Sequence, residues 1–234
     1  MAYKALYRTY RPTNFNEVAG QQHIVKTLQN AVKQNKIAHA YLFCGPRGTG
    51  KTTIAKIFAK AINCEADDNK PCLQCSNCIA VHDGSHPDII EIDAASNNGV
   101  DEVRELIEKV KYAPLKSKYK VYIIDEVHMM SAGAFNALLK TIEEPPEHVI
   151  FIFATTEPQK VLPTIISRCQ RYDFTKVSIN DMKERLITVL NQENINYEEE
   201  AIRLICQLAD GGVRDAFSIL DQVIAYAQDE VQVH

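Results

Sequence analysis

One short segment limits what this chain can fold into more than any other. Residues 45–52 read GPRGTGKT, which fits the pattern G-x-x-x-x-G-K-[ST]. An apolar run at 40–44 precedes the segment, and residues 51–62 repeat apolar side chains at the spacing of a helix. The pattern between a strand and a helix predicts a phosphate-binding loop. We therefore expect the chain to bind a nucleotide, ATP or ADP.

Each residue type in this loop has a chemical task. Glycines allow backbone N–H groups to turn inward around a phosphate, and the following helix presents its positive N-terminal end. Lys51 supplies a point charge, and the Thr52 hydroxyl is a ligand for Mg²⁺. The predicted nucleotide-binding residues of this segment are Gly45, Pro46, Arg47, Gly48, Thr49, Gly50, Lys51, Thr52 and Thr53.

A second apolar run ends in two acids, Asp125 and Glu126. Ligands of open α/β sheets bind at the carboxyl ends of the strands, so this run predicts a strand that carries both carboxylates to the phosphate loop. Asp125 would hold Mg²⁺ together with Thr52, and Glu126 would orient and deprotonate the attacking water. We interpret His128 as a structural or switch residue. The alternative for the whole run is a strand that ends in a solvated acidic turn.

Strands and helices alternate along most of the chain. Short, continuously apolar runs alternate with amphipathic patterns, which is typical of a parallel sheet flanked by helices on both faces. From Asn180 onward only helical patterns remain. We therefore predict an α/β domain over residues 1–177 and a small all-α domain over residues 178–234, with the change near 176–180.

The composition excludes several classes of protein. The chain has 26 Lys and Arg against 30 Asp and Glu, a net charge of −4, so bulk attraction does not make it a general binder of polyanions. It contains no run of about 18 apolar residues that would span a bilayer, and the opening MAYKALYRTYRPTNF lacks the apolar core of a signal peptide. We expect a cytoplasmic protein without membrane contact.

Four of the seven cysteines lie in one short stretch, namely Cys64, Cys72, Cys75 and Cys78. Four thiolates close a tetrahedral site and leave no position for water, which is the pattern of a structural zinc site. We predict that zinc folds the insert 64–78. An iron–sulfur cluster and unligated thiols are the alternatives, and His82 and His86 are nearby residues of a ligand type. The other three cysteines are expected to be buried thiols, Cys44, Cys169 and Cys206.

Several segments together resemble one known family. They are GPRGTGKT, the cysteine insert, EIDAASNNGVDEVREL at 91–106, VYIIDEVHMMS at 121–131, FNALLKTIEEPPEHV at 135–149, FATTEPQKV at 153–161, ISRCQRYDF at 166–174 and GGVRDAFSILDQ at 211–222. Over essentially its whole length the chain resembles the gamma/tau subunits of the bacterial DNA polymerase III clamp loader. The resemblance implies an AAA+ P-loop ATPase domain with a zinc-knuckle insert, followed by a helical lid domain.

The resemblance also assigns roles near the base and the γ-phosphate. Arg11 and Val18 match the N-terminal box of the family, which lies against the adenine base, whereas Phe15 is equally well explained as a core residue. Thr155 and Thr156 match sensor 1, a polar side chain that holds the attacking water or senses the γ-phosphate. Strand-end capping is the alternative for these two threonines.

Two arginines are assigned in the same way. Arg168, in the triplet SRC, matches the arginine finger that reaches the γ-phosphate of a neighbouring subunit, and a surface salt bridge is the alternative. Arg214 matches sensor 2, by which the lid touches the nucleotide, and pairing with Asp210 or Asp215 is the alternative. With these assignments the predicted catalytic residues are Lys51, Asp125, Glu126, Thr156 and Arg168.

The function implied by the resemblance is an ATP-hydrolysing motor that opens a ring-shaped sliding clamp and places it on primed DNA during replication. Its implied partners are the delta and delta prime subunits, further gamma/tau copies, the clamp and the primed DNA. The alternatives are a non-hydrolysing, stator-like scaffold of the same assembly and an AAA+ helicase loader. The chain ends before the family's C-terminal collar, so we expect a fragment that is monomeric and hydrolyses ATP slowly when alone.

Overall fold

A parallel sheet of five strands forms the centre of the protein. The structure is a computed structural model that describes residues 5–227 and 230–232. The strands lie in the order β2-β3-β4-β1-β5 and all neighbours run parallel. Their bounds are β1 (Ala40–Cys44), β2 (Ile89–Asp93), β3 (Lys120–Asp125), β4 (Val149–Thr155) and β5 (Gln170–Asp173). The predicted parallel sheet is confirmed.

Helices flank this sheet on both faces. The helices of this part of the chain are α2 (Gln22–Lys33), α3 (Lys51–Ile62), α4 (Ser76–His82), α5 (Val100–Val110), α6 (Ala132–Glu143) and α7 (Pro163–Ile166), and a short helix α1 (Leu6–Thr9) precedes them. Helices α2 and α3 contribute to the core on one face, and α5 and α6 contribute to the core on the other. Within the described ranges, no helix is both long enough and apolar enough to cross a membrane.

The central strands are apolar without interruption because both of their faces are covered. Tyr41 and Phe43 of β1 lie in the core that contains α2 and α3, whereas Leu42 lies in the core that contains α5 and α6. Every residue of β1 and of β4 is buried. Burial of each large apolar side chain contributes roughly 1.5–3 kcal/mol, so these strands anchor the loops that follow them.

Three helices form a separate core after the sheet. They are α8 (Ile179–Glu193), α9 (Glu199–Leu208) and α10 (Val213–Ala227). The expectation of helices alone was wrong in one detail, because two-residue strands β6 (Asn196–Tyr197) and β7 (Glu230–Val231) pair in parallel beside them. A pairing of two residues leaves no periodic pattern in the sequence. It is extended by the Glu198 N–H, which donates to the Val231 carbonyl at 2.8 Å.

The N-terminal segment connects the two cores. Leu6 is buried in the core of α8–α10, and its backbone N–H lies 3.1 Å from a carboxylate oxygen of Asp221 on α10. Phe15, a few residues later, is buried in the core of α2 and α3. Leu6 therefore packs on the helical part, although in sequence it precedes the α/β part.

One buried carboxylate organises the loop before β3. Asp88 accepts hydrogen bonds from the N–H groups of Leu115 and Lys116, both at 2.7 Å, and of Ser117 at 2.9 Å. Burial raises the pKa of Asp88, but the hydrogen bonds outweigh burial, and the pKa is lowered overall. This single carboxylate thus binds three consecutive N–H groups of the loop.

Candidate nucleotide-binding site and cysteine cluster

A cavity of about 560 Å³ lies between the phosphate loop and the start of α10. Its walls come from the N-terminal segment, the phosphate loop, the strands β2 and β3 and the helix α10. The structure therefore brings together residues that are far apart in the chain. The predicted residues that line the cavity are Arg11, Val18, Arg47, Gly48, Thr49, Gly50, Lys51, Thr52, Thr53, Asp125, Glu126 and Arg214.

Gly45 and Gly48 show why the path of the phosphate loop requires glycine. Gly45 has φ 146°, and a Cβ there would lie 2.4 Å from the carbonyl oxygen of Phe174. Gly48 has φ 77°, and a Cβ there would lie 3.0 Å from the Cα of Gly212. Side chains other than glycine would be strained at both positions. Gly45 holds the loop against the end of the sheet, and Gly48 lets the start of α10 approach the loop.

Lys51 lies folded back on the loop that it follows. Its Nζ donates hydrogen bonds to the carbonyl oxygens of Gly45 and Pro46, both at 2.8 Å, and the residue is buried. Burial lowers the pKa of Lys51, while the nearby carboxylates of Glu126 and Asp125 oppose this shift. A phosphate would therefore compete with two carbonyl oxygens for the ammonium group.

The predicted magnesium ligands are in contact. The Thr52 hydroxyl donates to Oδ2 of Asp125 at 2.6 Å, and the N–H of Glu126 donates to Oδ1 of Asp125 at 3.0 Å. Mg²⁺ prefers oxygen ligands and is usually held by one or two protein groups together with substrate phosphates. This pair of oxygen donors at the cavity wall fits that requirement.

Glu126 lines the cavity, and Thr156 holds its carboxylate. Oε2 of Glu126 accepts the Thr156 N–H at 3.2 Å and the Thr156 hydroxyl at 3.0 Å. Thr156 itself does not line the cavity. The structure thus brings the predicted sensor threonine to the predicted base rather than to the open space of the cavity.

Thr155 occupies a different environment from Thr156. It is fully buried, and its hydroxyl lies 3.0 Å from Nδ1 of His128 and accepts the N–H of Glu157 at 3.0 Å. Its carbonyl oxygen accepts the N–H of Gly45 at 3.1 Å. These bonds are those of a strand-end cap, and they join the end of β4 to the phosphate loop.

The residues matched to the base-binding box separate into two groups. Arg11 lines the cavity, and its Nε donates to the Thr53 hydroxyl at 3.1 Å. Burial lowers the pKa of Arg11, an effect opposed by the carboxylates of Glu91 and Asp125. Phe15, in contrast, is buried in the core, as its alternative interpretation required.

Arg214 reaches the cavity from the first turn of α10. Its guanidinium lies 5.0 Å from the centre of the Tyr7 ring, a cation–π distance. The neighbouring Val213 donates its N–H to the Gly48 carbonyl at 3.0 Å. Asp210, one of the two alternative partners, pairs with Lys176. The helical part of the chain therefore touches the phosphate loop directly.

Some residues of the cavity wall were not predicted. Phe217 lies three residues after Arg214 and thus on the same helix face, a relation that could have indicated it. For the others no sequence signal existed. Tyr10 and Pro12 belong to the matched N-terminal box, so the unpredicted wall residues are Tyr7, Arg8, Ala19, Glu91, Val213 and Phe217.

Arg168 lies outside the cavity, after α7. One terminal nitrogen is 2.6 Å from Oε1 of Glu143, and the other donates to the Thr164 carbonyl at 2.6 Å. Its side chain is 34 % exposed. The guanidinium is therefore held at the surface and is not one of the groups lining this chain's own cavity.

The four clustered cysteines converge on one point. Their sulfur atoms all lie within 4.8 Å of one another. Backbone N–H groups point at three of the sulfurs, from Cys72 to Cys64 at 3.3 Å, from Cys75 to Cys72 at 3.3 Å and from Cys78 to Cys75 at 3.4 Å. Such donors favour thiolates: the backbone N–H groups of Gln74 and Cys75 lower the pKa of Cys72 to about 6, whereas burial raises the pKa of Cys64 and of Cys78. Four thiolates at this spacing fit a tetrahedral cation.

The two nearby histidines do not join this cluster. Among the described residues, the group whose ligand atoms converge consists of the four cysteines alone. His86 is buried and contacts the Asn77 side chain at 3.2 Å. Burial lowers its pKa. His82 lies at the end of α4.

The chain is similar to DNA polymerase III subunits over nearly its full length. A family described as "DNA polymerase III, delta subunit" matches residues 20–178, and one described as "DNA polymerase III clamp loader subunit, ATPase lid domain" matches residues 181–229. DNA polymerase III subunit tau of Bacillus subtilis is 58% identical over 100% of the chain. Subunit tau of Escherichia coli is 47% identical over 99% of the chain.

The chain is shorter than these relatives. It spans 42% of the Bacillus subtilis protein and 36% of the Escherichia coli protein. Among solved structures, the Holliday junction branch migration motor RuvB of Thermotoga maritima superposes with a TM-score of 0.69. It is 19% identical, and the match covers 95% of this chain and 69% of RuvB. The likeness shows an AAA+ P-loop fold.

Proposed function

Because the chain belongs to the family of DNA polymerase III clamp-loader subunits that includes gamma and tau, we propose that it is an ATP-binding and ATP-hydrolysing motor subunit. It would act in loading a sliding clamp onto primed DNA during replication, in the cytoplasm. One observation carries the proposal: the Thr52 hydroxyl and the Asp125 carboxylate meet at 2.6 Å on the wall of the cavity that Lys51 and Glu126 also line.

The proposed roles follow from the chemistry of each group. Lys51 and the loop amides bind the phosphates, and Thr52 with Asp125 holds Mg²⁺, which neutralises developing charge on the phosphate oxygens. Glu126 takes a proton from the attacking water. Arg11 and Val18 bind the base, and Arg214 reports the presence of nucleotide to the lid.

We place the ATPase domain at residues 1–177 and the helical lid at 178–234. This division follows the sheet's last strand, β5, and precedes α8, which begins at Ile179. Arg214 and Val213 then reach the cavity from the lid side. Nucleotide binding and lid position are coupled in this proposal, because the same cavity touches both parts.

The alternative of a non-hydrolysing, stator-like scaffold predicts a site that lacks some of the residues needed to bind phosphate, hold Mg²⁺ or activate water. Lys51, Thr52, Asp125 and Glu126 are all present, and all four line one cavity. A scaffold that does not hydrolyse ATP has no need to retain all of these groups. The observed set therefore favours the motor over the scaffold.

The position of Arg168 supports a contact with a neighbouring subunit. Because its side chain is partly exposed and lies outside the cavity of its own chain, we assign it to the γ-phosphate of a neighbouring subunit. Such neighbours would be delta, delta prime or further gamma/tau copies, acting on a clamp and primed DNA. The chain alone would be a monomer with slow turnover.

ATP hydrolysis measured in two settings tests the motor. We expect slow turnover by the chain alone and much faster turnover when it is assembled, in a longer form carrying the segments of its relatives, with the other subunits, clamp and primed DNA. A Glu126→Gln variant should bind ATP in both settings and lose the stimulated turnover. Tight ATP binding without turnover in the full assembly would favour the scaffold instead.

We also propose that the cysteine cluster holds one zinc ion. The supporting observation is the convergence of four sulfur atoms with backbone N–H groups directed at three of them. Zinc would cross-link the segment from Cys64 to Cys78 and leave no open coordination position, so its role would be structural.

Metal analysis of the purified chain tests this assignment. We expect about one zinc per chain, which four thiolates bind tightly enough to survive gel filtration. Cys75→Ser should lose the metal, whereas Cys206→Ala, in the lid core, should retain it. Iron with acid-labile sulfide in place of zinc, or four freely titratable thiols without metal, would contradict the proposal.

A further inference from the structure

His128 occupies a position between two carboxylates. Its Nδ1 lies 3.4 Å from Oε2 of Glu126, and its Nε2 lies 3.2 Å from Oε2 of Glu157. The side chain is only 6 % exposed. A histidine of this kind, in contact with the proposed base, has no role in the function described above.

The contacts restrict how the ring is held. A carboxylate oxygen only accepts hydrogen bonds, so each ring nitrogen bonds to the carboxylate that it faces only when it carries hydrogen, Nε2 toward Glu157 and Nδ1 toward Glu126. Glu157 is in turn paired with Lys160 at 2.6 Å. On the inner side, Nδ1 faces both Glu126 and the Thr155 hydroxyl, which is 3.0 Å away. The ring is therefore fixed from both edges.

The two oxygens of the Glu126 carboxylate have different surroundings. Oε2 lies against the N–H and hydroxyl of Thr156, at 3.2 and 3.0 Å, and against His128. Among the hydrogen bonds of the described residues, none involves Oε1. One oxygen is thus held in place, and the other remains available to accept a proton.

We propose that His128 is a positioning residue for Glu126, an inference that rests on the proposed function. With Thr156, it holds Oε2 so that Oε1 receives a proton from the attacking water. The water oxygen forms a bond to the γ-phosphorus, the bond from that phosphorus to the bridging oxygen breaks, and its electron pair leaves with ADP. Glu157, which pairs with Lys160, holds the orientation of the ring through its contact with Nε2.

Kinetics of the assembled complex test the proposal. His128→Ala should lower the stimulated kcat about ten- to a hundredfold, the scale expected when a catalytic group is misplaced. KM for ATP and the affinity for nucleotide should stay within about twofold, since Lys51 and the loop are untouched. His128→Gln should recover part of kcat, because its amide both donates and accepts.

A double-variant cycle separates positioning from an independent effect. If His128 acts through Glu126, His128→Ala should cause no further loss in a Glu126→Gln background. The matched control is His148→Ala, which removes a ring whose Nε2 contacts the Tyr112 carbonyl far from Glu126. It should leave kcat unchanged.

Three results would overturn the inference: an unchanged kcat for His128→Ala, equal losses in the two backgrounds, or a parallel loss of nucleotide affinity that indicates a purely structural role. The melting temperature of each variant is measured to identify unfolding, and His128→Gln carries the test if the alanine variant does not fold. Failure of the proposed function gives a different result from failure of this inference. In that case the unmodified chain itself shows no stimulated turnover.

Discussion

Replacing Lys51 by alanine is expected to weaken nucleotide binding about a hundredfold or more. Hydrogen bonds to charged groups contribute about 1.5–3 kcal/mol each, and every 1.4 kcal/mol is about tenfold in affinity. The Nζ of Lys51 now donates to two loop carbonyls, of Gly45 and Pro46. The ammonium can therefore move from these carbonyls to a phosphate, and alanine removes that charge completely.

Calorimetric titration with ADP and Mg²⁺ measures this loss directly. Lys26→Ala serves as the matched control, since it removes an exposed lysine from α2 and should change the affinity by less than about twofold. Circular dichroism should show that both variants remain folded. Equal binding by Lys51→Ala and the unmodified chain would remove the phosphate-loop assignment.

Replacing Arg168 by alanine is expected to reduce partner-stimulated turnover about a thousandfold while leaving nucleotide affinity intact. An arginine finger contributes about 10³–10⁵ in kcat, because it stabilises charge that develops on the γ-phosphate. Arg168 does not line the cavity of its own chain, so binding by the isolated protein should not sense the change.

Two controls distinguish a finger from a surface ion pair. Arg171→Ala removes a comparable exposed arginine that pairs with Asp173, and it should leave turnover unchanged. Glu143→Gln removes the carboxylate partner of Arg168 but keeps the guanidinium. If the pair with Glu143 were the sole role of Arg168, then Glu143→Gln would reproduce the loss, and the finger assignment would be wrong.

The sheet and the helices against it could be predicted because burial on two sides leaves a strong pattern. The bounds of β1, α3 and β3 agree with the apolar runs and helical spacings in the sequence. The strand β5 was not predicted. It lies at the sheet edge, pairs only with β1, and is mostly exposed, so its residues QRYD show no apolar run.

The two threonines at the end of β4, Thr155 within the strand and Thr156 directly after it, have the same residue type but different contacts. Successive side chains of a strand point to opposite sides. Thr156 contacts Glu126, and Thr155 contacts His128. Because both are threonines, the residue type does not indicate which of them contacts Glu126, the proposed general base. The alternation of side chains along the strand decides it.

Contacts between distant segments could not be predicted from local patterns. Asp88 looks like an ordinary acid before a strand, yet it holds three backbone N–H groups of a loop that follows about 27 residues later. The cysteine cluster was different, because its close spacing in the chain already limited how far apart the sulfurs could lie. The sequence therefore predicts contacts between residues that are close in the chain, but it does not predict hydrogen bonds between segments that are far apart.

The bond between the Val213 N–H and the Gly48 carbonyl ties the lid to the phosphate loop at the level of the backbone. No side chain intervenes, since a Cβ at Gly48 would crowd the Cα of Gly212. Any hinge rotation of α10 must either break this bond or drag Gly48 with it. As long as this bond is intact, a displacement of the start of α10 also displaces the backbone of the phosphate loop at Gly48.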